Sequence, residues 1–406
     1  MIPFELIVAL RFLREGRMQS TLIIVGVTVG VAVIIFITAL ITGLQGNIIT
    51  RTLGTQAHIV IRPPDEVNRL VLRREDADIA AKIEKRAQRL RSIDQWQSVF
   101  DLVEHAPGVV AASPTVAGAA FASRGNANKS VALLGVDPVR YLRIVKVHES
   151  IVAGEFRVAG TDAVIGIELA SDLGVNVGDK LRLTTAEGGN DVVTIAGIFD
   201  LGNKEVNRRW VFVTLKMAQN LLDLAGGVTN IDLAVKEIFS AETVAGTLSL
   251  QTGLLVESWM QTNAQLLAAL RNQTITTVII RIFVIVIVAL GIASVLVVSV
   301  VQKSREIGIL RAMGTSSRKV MTVFLLQGAI VGFLGSLLGS LLAGALLIAF
   351  PRIFRDAGGF PFFEPDVNVW LFVTAMLVAV LTGIIAAATP ARRAAHMDPV
   401  SAIRYG

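Results

Sequence analysis

Residues 282–301 read IFVIVIVALGIASVLVVSVV. No residue in this stretch ionises, and its length matches the roughly 20 residues that a helix needs to cross some 30 Å of hydrocarbon. In that medium each backbone amide must find its acceptor inside the segment, so a membrane-spanning helix is predicted. The apolar pattern continues N-terminally through residues 275–280, with Arg281 set into it. An arginine at mid-bilayer is costly, which puts Arg281 at the outer interface and carries the helix beyond the membrane.

Three further runs have the same character: Thr21–Leu44, Val320–Phe350 and Val369–Thr389, the last two expected to stop at Pro351 and Pro390. With 53% apolar and only 17% charged residues, the chain is too apolar for an ordinary soluble protein. Arg11, Arg14 and Arg17 ahead of the first run would also suit a signal peptide. A signal core spans only about 7–15 residues, however, and no clear A-x-A site follows, so an uncleaved span is expected.

Basic residues set the orientation. Arg11, Arg14 and Arg17 precede the first span; Lys303, Arg305, Arg311, Arg318 and Lys319 lie between the second and third; Arg392, Arg393 and Arg404 follow the fourth. Between the third and fourth, Arg352 and Arg355 are offset by Asp356, Glu364 and Asp366. The positive-inside rule then puts both termini in the cytoplasm and the long insert outside. The formal charge of +6 belongs to this pattern and not to nucleic-acid binding.

The insert, roughly 225 residues, has room for one or two lobes. Alternating strands are predicted at Ala57–Ile61, Val131–Leu134, Lys180–Thr184, Val192–Ile198, Trp210–Thr214 and Ile231–Val235. Helices are predicted at Asp94–His105, Ile167–Leu173 and Leu215–Leu224. This mixture argues for an α+β domain. Arg73–Arg91, dense in charge and alanine, reads as a solvated helix or a docking surface. A helix over Gln261–Arg271 is expected to run on into the second span as a rigid lever, the alternative being a break near Asn272.

The sequence offers little catalytic chemistry. It lacks G-x-x-x-x-G-K-[ST], H-E-x-x-H and G-x-S-x-G, and it has no cysteine. His58, His105, His148 and His396 lack metal-ligand spacing. Neither a catalytic residue nor a bound cofactor or metal is expected in this chain, and the nearly uncharged spans argue against a proton relay. Energy for any transport must come from another subunit.

The most specific feature follows the second span: Q-K-S-R-E-I-G-I-L-R-A-M-G over 302–314. It reads as a short amphipathic helix closed by Gly314. Ile307, Leu310 and Met313 share an apolar face and Arg305, Glu306 and Arg311 form polar edges. Such a helix either meets a partner or lies in the bilayer interface. Pro3–Arg14 has the composition of an interfacial helix resting on membrane lipid. Glycines four apart, at Gly26 and Gly30, Gly328 and Gly332, and Gly335 and Gly339, allow close helix packing.

The run R-E-I-G-I-L-R-A-M-G over 305–314 resembles the signature of FtsX-like permeases, which include MacB-type exporters and the LolC/LolE lipoprotein-releasing subunits. Phe324–Gly328 with Gly332, Gly335 and Gly339 resembles the family's third span, and Pro390–Ala395 with Asp398-Pro399 and Ala402–Arg404 its tail. In the outer domain, Gly135–Pro138 and the stretch from Val164 to Asp179 are also similar. The resemblance implies four transmembrane helices with a large α+β, MacB-like periplasmic domain inserted between the first and second. The expected divisions are a cytoplasmic amphipathic helix over 1–20, the first span over 21–44 and the periplasmic domain over 45–270. Then come the stalk and second span over 271–301, a coupling loop over 302–319, the third span over 320–350 and a periplasmic loop over 351–368. The fourth span over 369–389 and a cytoplasmic tail over 390–406 complete the chain.

The resemblance further implies a bacterial inner-membrane protein without catalysis of its own. Its partners would be a cytosolic ATPase dimer holding ATP and Mg²⁺, a second permease copy or paralogue, and a periplasmic carrier or adaptor. Arg305, Glu306, Ile307, Gly308, Leu310, Arg311, Met313 and Gly314 would couple to the ATPase, whose dimerisation would move the periplasmic extensions by mechanotransmission. The cargo would be lipophilic: a lipoprotein, lipid or drug. MacB proteins carry a fused N-terminal ATPase, a pattern from which this sequence departs. The stretch Asp94–Pro138 leans toward LolC/LolE. A signalling permease that controls a cell-wall hydrolase, or an exporter with a periplasmic adaptor, are the alternatives; the large outer domain favours export.

Overall fold

The computed structural model describes residues 4–64, 90–354 and 365–398. Helices α1 (Phe4–Glu15) and α2 (Arg17–Gly54) are followed by β1 (Ile59–Arg62), α3 (Trp96–Glu104), β2 (Val109–Arg124), β3 (Ala127–Val136) and α4 (Pro138–Tyr141). Next come β4 (Ile151–Gly154), β5 (Asp162–Gly166), α5 (Ile167–Leu173), β6 (Lys180–Thr185), β7 (Asn190–Phe199) and α6 (Lys204–Arg209). The insert closes with β8 (Trp210–Thr214), α7 (Leu215–Leu221), β9 (Asn230–Val235), α8 (Ala241–Thr252), β10 (Leu255–Ser258) and α9 (Trp259–Thr262). The chain then runs through α10 (Ala264–Gln302), α11 (Ser304–Ala312), α12 (Ser317–Ile353) and α13 (Val369–Ala395). Most of the charged stretch Arg73–Arg91 lies outside the described residues.

Contacts divide the chain into two units, Met1–Ile48 with Ala268–Gly406, and Ile49–Leu267. In the first, α2, α10, α12 and α13 are each long and apolar enough to cross a membrane. Their outer faces carry exposed apolar side chains, among them Phe283, Leu290, Leu341 and Leu381, which suit lipid and not water. Hydroxyls on these helices turn back into their own backbone: Thr38 Oγ1 donates to Ile34 O at 2.6 Å, and Thr277 Oγ1 to Gln273 O at 2.9 Å. No hydroxyl proton is thereby left unpaired at these positions. Helix α10 is unbroken at Asn272.

Neither proline ends its helix where expected. Helix α12 runs through Pro351 to Ile353, and α13 through Pro390 to Ala395. A proline removes one amide donor and crowds the carbonyl four residues back. Pro390 sits in a buried face with Ala386, Ala387, Ala391 and Ala394, and packing of that face carries the helix past the lost bond.

The second unit is built on one mixed ten-stranded sheet. Six strands close into a barrel in the order β2-β3-β8-β5-β7-β6, with β6 returning to β2. Closure leaves those strands without a free edge. Pairs β3–β8 and β5–β7 are parallel; the others are antiparallel. Strand β2 serves two parts of the sheet: Val109–Thr115 pairs with β9, which extends through β1 to β10, while Ala120–Ser123 pairs with β6 in the barrel. Beside the barrel, Phe212 is fully buried and packs ring to ring with Tyr141, Phe156, Phe199 and Trp210 at centroid distances of 5.7, 5.6, 5.6 and 5.8 Å.

Candidate coupling site

Helix α10 ends at Gln302, and Lys303 leaves the helical region at φ −98, ψ 10 before α11 begins. Lys303 also pins the start of α11. Its Nζ donates to Glu15 Oε2 at 2.5 Å and Glu306 Oε1 at 2.7 Å, and lies 5.7 Å from the Phe12 ring centre. Arg11 Nε donates to the other Glu15 oxygen at 2.8 Å. The hydrogen bonds from Arg11 and then Lys303 hold the Glu15 carboxyl below the usual carboxylate range. Those from Lys303 to Glu15 and Glu306 hold its ammonium above the usual range.

The end of α11 is fixed differently. Gly314 N–H donates to Arg311 O at 3.0 Å and Thr315 N–H to Leu310 O at 3.1 Å, the paired bonds of a Schellman cap. Gly314 has φ +94, a left-handed conformation that side chains beyond Cα disfavour. Arg311 Nη1 donates to Met397 O, tying α11 to the segment after α13.

These ties decide which face is free. Ile307 is buried in a cluster with Ala9, Phe12, Val320, Phe324, Ala391 and Ala394, and Gly308 is buried beside it. Leu310 and Arg311 are half-buried. The exposed residues are Arg305, Glu306, Ile309, Ala312 and Met313, with Ile309 at 44% and Met313 at 71%. Arg305, Ile309 and Met313 are four residues apart and form one outward stripe. The apolar face read from sequence as Ile307, Leu310 and Met313 is therefore divided: Ile307 points inward and Met313 outward. Ile309, absent from that face, joins the exposed stripe, and the four-residue step from Arg305 is the signal that picks it out.

The packing glycines sort by neighbour. A methyl group at Gly328 would overlap Gly383 O, and one at Gly332 would lie 2.7 Å from Ala379 O, so this pair seats α12 on α13. At Gly335 it would lie 2.6 Å from Val27 Cβ, and at Gly339 2.8 Å from Thr28 O, so this pair seats α12 on α2. Gly30 meets the Val288 side chain of α10. Gly26 meets nothing within 4 Å; a step of four residues turns it about 40° round the helix from Gly30. Gly383, the partner of Gly328, had no sequence signal of its own. Among the described residues no group of three or more His, Asp or Glu side chains could hold a metal.

Residues 20–249 match the MacB-like periplasmic core domain, and residues 278–399 match the FtsX-like permease C-terminal domain. The chain belongs to the FtsX-like permeases with a MacB-like periplasmic core domain. It is a multi-pass membrane protein with a periplasmic α+β domain between its first and second long apolar helices, and an ABC transporter permease of this kind implies an ATPase partner. It is 26% identical over 443 aligned residues to the lipoprotein-releasing system transmembrane protein LolC of Neisseria meningitidis, covering 100% of each chain. It is 25% identical over 441 to LolC of Xylella fastidiosa, covering 99% of each. To the macrolide export ATP-binding/permease protein MacB of a Shewanella species it is 24% identical, over 97% of this chain but 59% of that one.

Proposed function

We propose that this permease takes up ATP-driven motion at α11 from a separate cytosolic ATPase dimer and passes it to the periplasmic domain, extracting or exporting a lipophilic cargo. The observation that carries this reading is the exposed stripe Arg305–Ile309–Met313 on a short helix pinned at both ends. A pinned helix cannot yield when pushed, so a displacement applied there moves α10 and α12 with it. ATP and Mg²⁺ are held by the partner, and α10, helical from Ala264 to Gln302, is the connection between loop and periplasmic domain. Both termini are cytoplasmic in this reading, and a second permease copy or paralogue completes the assembly.

The end-to-end likeness to LolC favours a lipoprotein as cargo, handed to a periplasmic carrier. The test is reconstitution into proteoliposomes with the ATPase that co-purifies with the chain. ATP-dependent release of a lipoprotein to the outside-facing solution is expected. Release of a macrolide in place of lipoprotein would support the MacB-type reading, and ATP turnover with neither would support a signalling role.

A further inference from the structure

Within the first unit a crevice of about 100 Å³ opens between α2, α10 and α13. Its walls are apolar: Gly30 and Ile34 from α2, Val288 from α10, and Leu371, Ala375 and Val378 from α13. The hydroxyl protons of Thr374 and Thr382, which also line it, are turned back to carbonyls of their own helix. One ionised group lies on the crevice, Arg281.

Arg281 is incompletely satisfied. Its Nη2 donates to Thr38 Oγ1 at 2.9 Å, while its buried Nε has no acceptor. It pairs with no carboxylate among the described residues. Gln302 lies 21 residues further on in α10, about 31 Å along the helix axis and so one hydrocarbon thickness away. Gln302 adjoins the charged cluster of Lys303, Glu15 and Glu306, which must lie in water. The guanidinium is thus at the depth of the opposite headgroup layer, above an apolar slot, with no carboxylate partner among the described residues.

We propose that this crevice binds one phospholipid, its phosphate on Arg281 and one acyl chain among Ile34, Val288, Ala375 and Val378. A phosphate diester supplies the acceptors that Nε and the free Nη require, in the planar geometry guanidinium prefers. The acyl chain fills space that water would not favour. The site does not depend on the transport reading, because it requires only that α2, α10 and α13 cross a bilayer.

The test uses the full chain in a nonionic detergent, titrated with dioctanoyl phosphatidylglycerol, dioctanoylglycerol or inorganic phosphate and read by native mass spectrometry. One phosphatidylglycerol per chain is expected, with dioctanoylglycerol and phosphate each at least about tenfold weaker. Arg281→Gln should bring phosphatidylglycerol down to the level of dioctanoylglycerol, and Arg281→Lys should keep part of the preference. Ala375→Leu, which fills the slot and leaves the guanidinium, should weaken phosphatidylglycerol binding as well; it decides the matter if Arg281→Gln fails to fold. Unchanged binding in a folded Arg281→Gln overturns the proposal and leaves Asp366, whose N–H donates to Ala39 O at 3.2 Å, as the rival counter-ion. Equal binding of dioctanoylglycerol, or of phosphate alone, overturns it too.

Discussion

Lys303 Nζ sits 2.5 Å from Glu15 Oε2, so the residue between α10 and α11 is tied to the last residue of the N-terminal helix, 288 positions earlier. The contact makes α1 part of the support of α11. Lys303→Met should raise amide hydrogen exchange over residues 304–312, measured by mass spectrometry at low ionic strength. The charge-swapped pair Lys303→Glu with Glu15→Lys should recover part of the protection, and added salt should erase the difference.

The two glycine pairs of α12 predict unequal costs. Gly332→Leu must push α13 away and should lower stability by about 1–3 kcal/mol, by analogy with overpacked cores. Gly335→Leu should do the same through α2. Gly26→Ala, with open space at that position, should be within about 0.5 kcal/mol of the parent or slightly stabilising. Thermal unfolding in detergent measures all three.

Asp232 is buried in the periplasmic unit and accepts a hydrogen bond from Thr115 Oγ1 at 2.7 Å. Burial raises its pKa to about 6, against the smaller opposing effect of that bond. A raised carboxyl pKa means stability that is full below about 3.8 and is lost as pH rises through about 6. Asp232→Asn should therefore unfold at nearly the parent's temperature at acidic pH and above it at neutral pH. Differential scanning calorimetry of the two proteins, compared at each pH, reads the gap.

Phe212 is the meeting point of four other aromatic rings. Phe212→Ala should cost about 3–5 kcal/mol, seen as a large drop in the unfolding midpoint of the periplasmic unit. Phe212→Leu, closer in volume, should cost less.

Which of these features could be read in advance follows from where their causes lie. Trp210–Thr214 and Ile167–Leu173 have the bounds read from sequence: the first is a short aromatic and β-branched run with strong strand preference, buried along Val211–Val213, and the second sets Leu169, Ala170 and Leu173 on one buried helix face. Strand β2 carries no such signal. Its sequence, VVAASPTVAGAAFASR, is rich in small residues with weak strand preference, and residues 111–116 are buried on both faces, which erases the alternation. In α11, Ile307 with Leu310 and Ile309 with Met313 are both apolar pairs at helical spacing. The choice between them is made by Phe12 and Phe324, whose rings stand 6.2 Å apart on distant segments. The closed barrel likewise depends on β6 reaching β2, a long-range pairing that no local pattern encodes.

In the proposed mechanism force enters through the stripe Arg305–Ile309–Met313. The most direct measurement is the ATPase rate of the co-purifying ATPase, reconstituted in lipid nanodiscs with the parent chain or with Arg305→Glu/Ile309→Asp. The double variant is expected to insert normally, keep the Lys303–Glu15 tie and lose most of the permease-dependent stimulation, while Leu250→Asp, at an exposed position of the periplasmic unit, leaves stimulation intact. Full stimulation by the double variant would contradict the account.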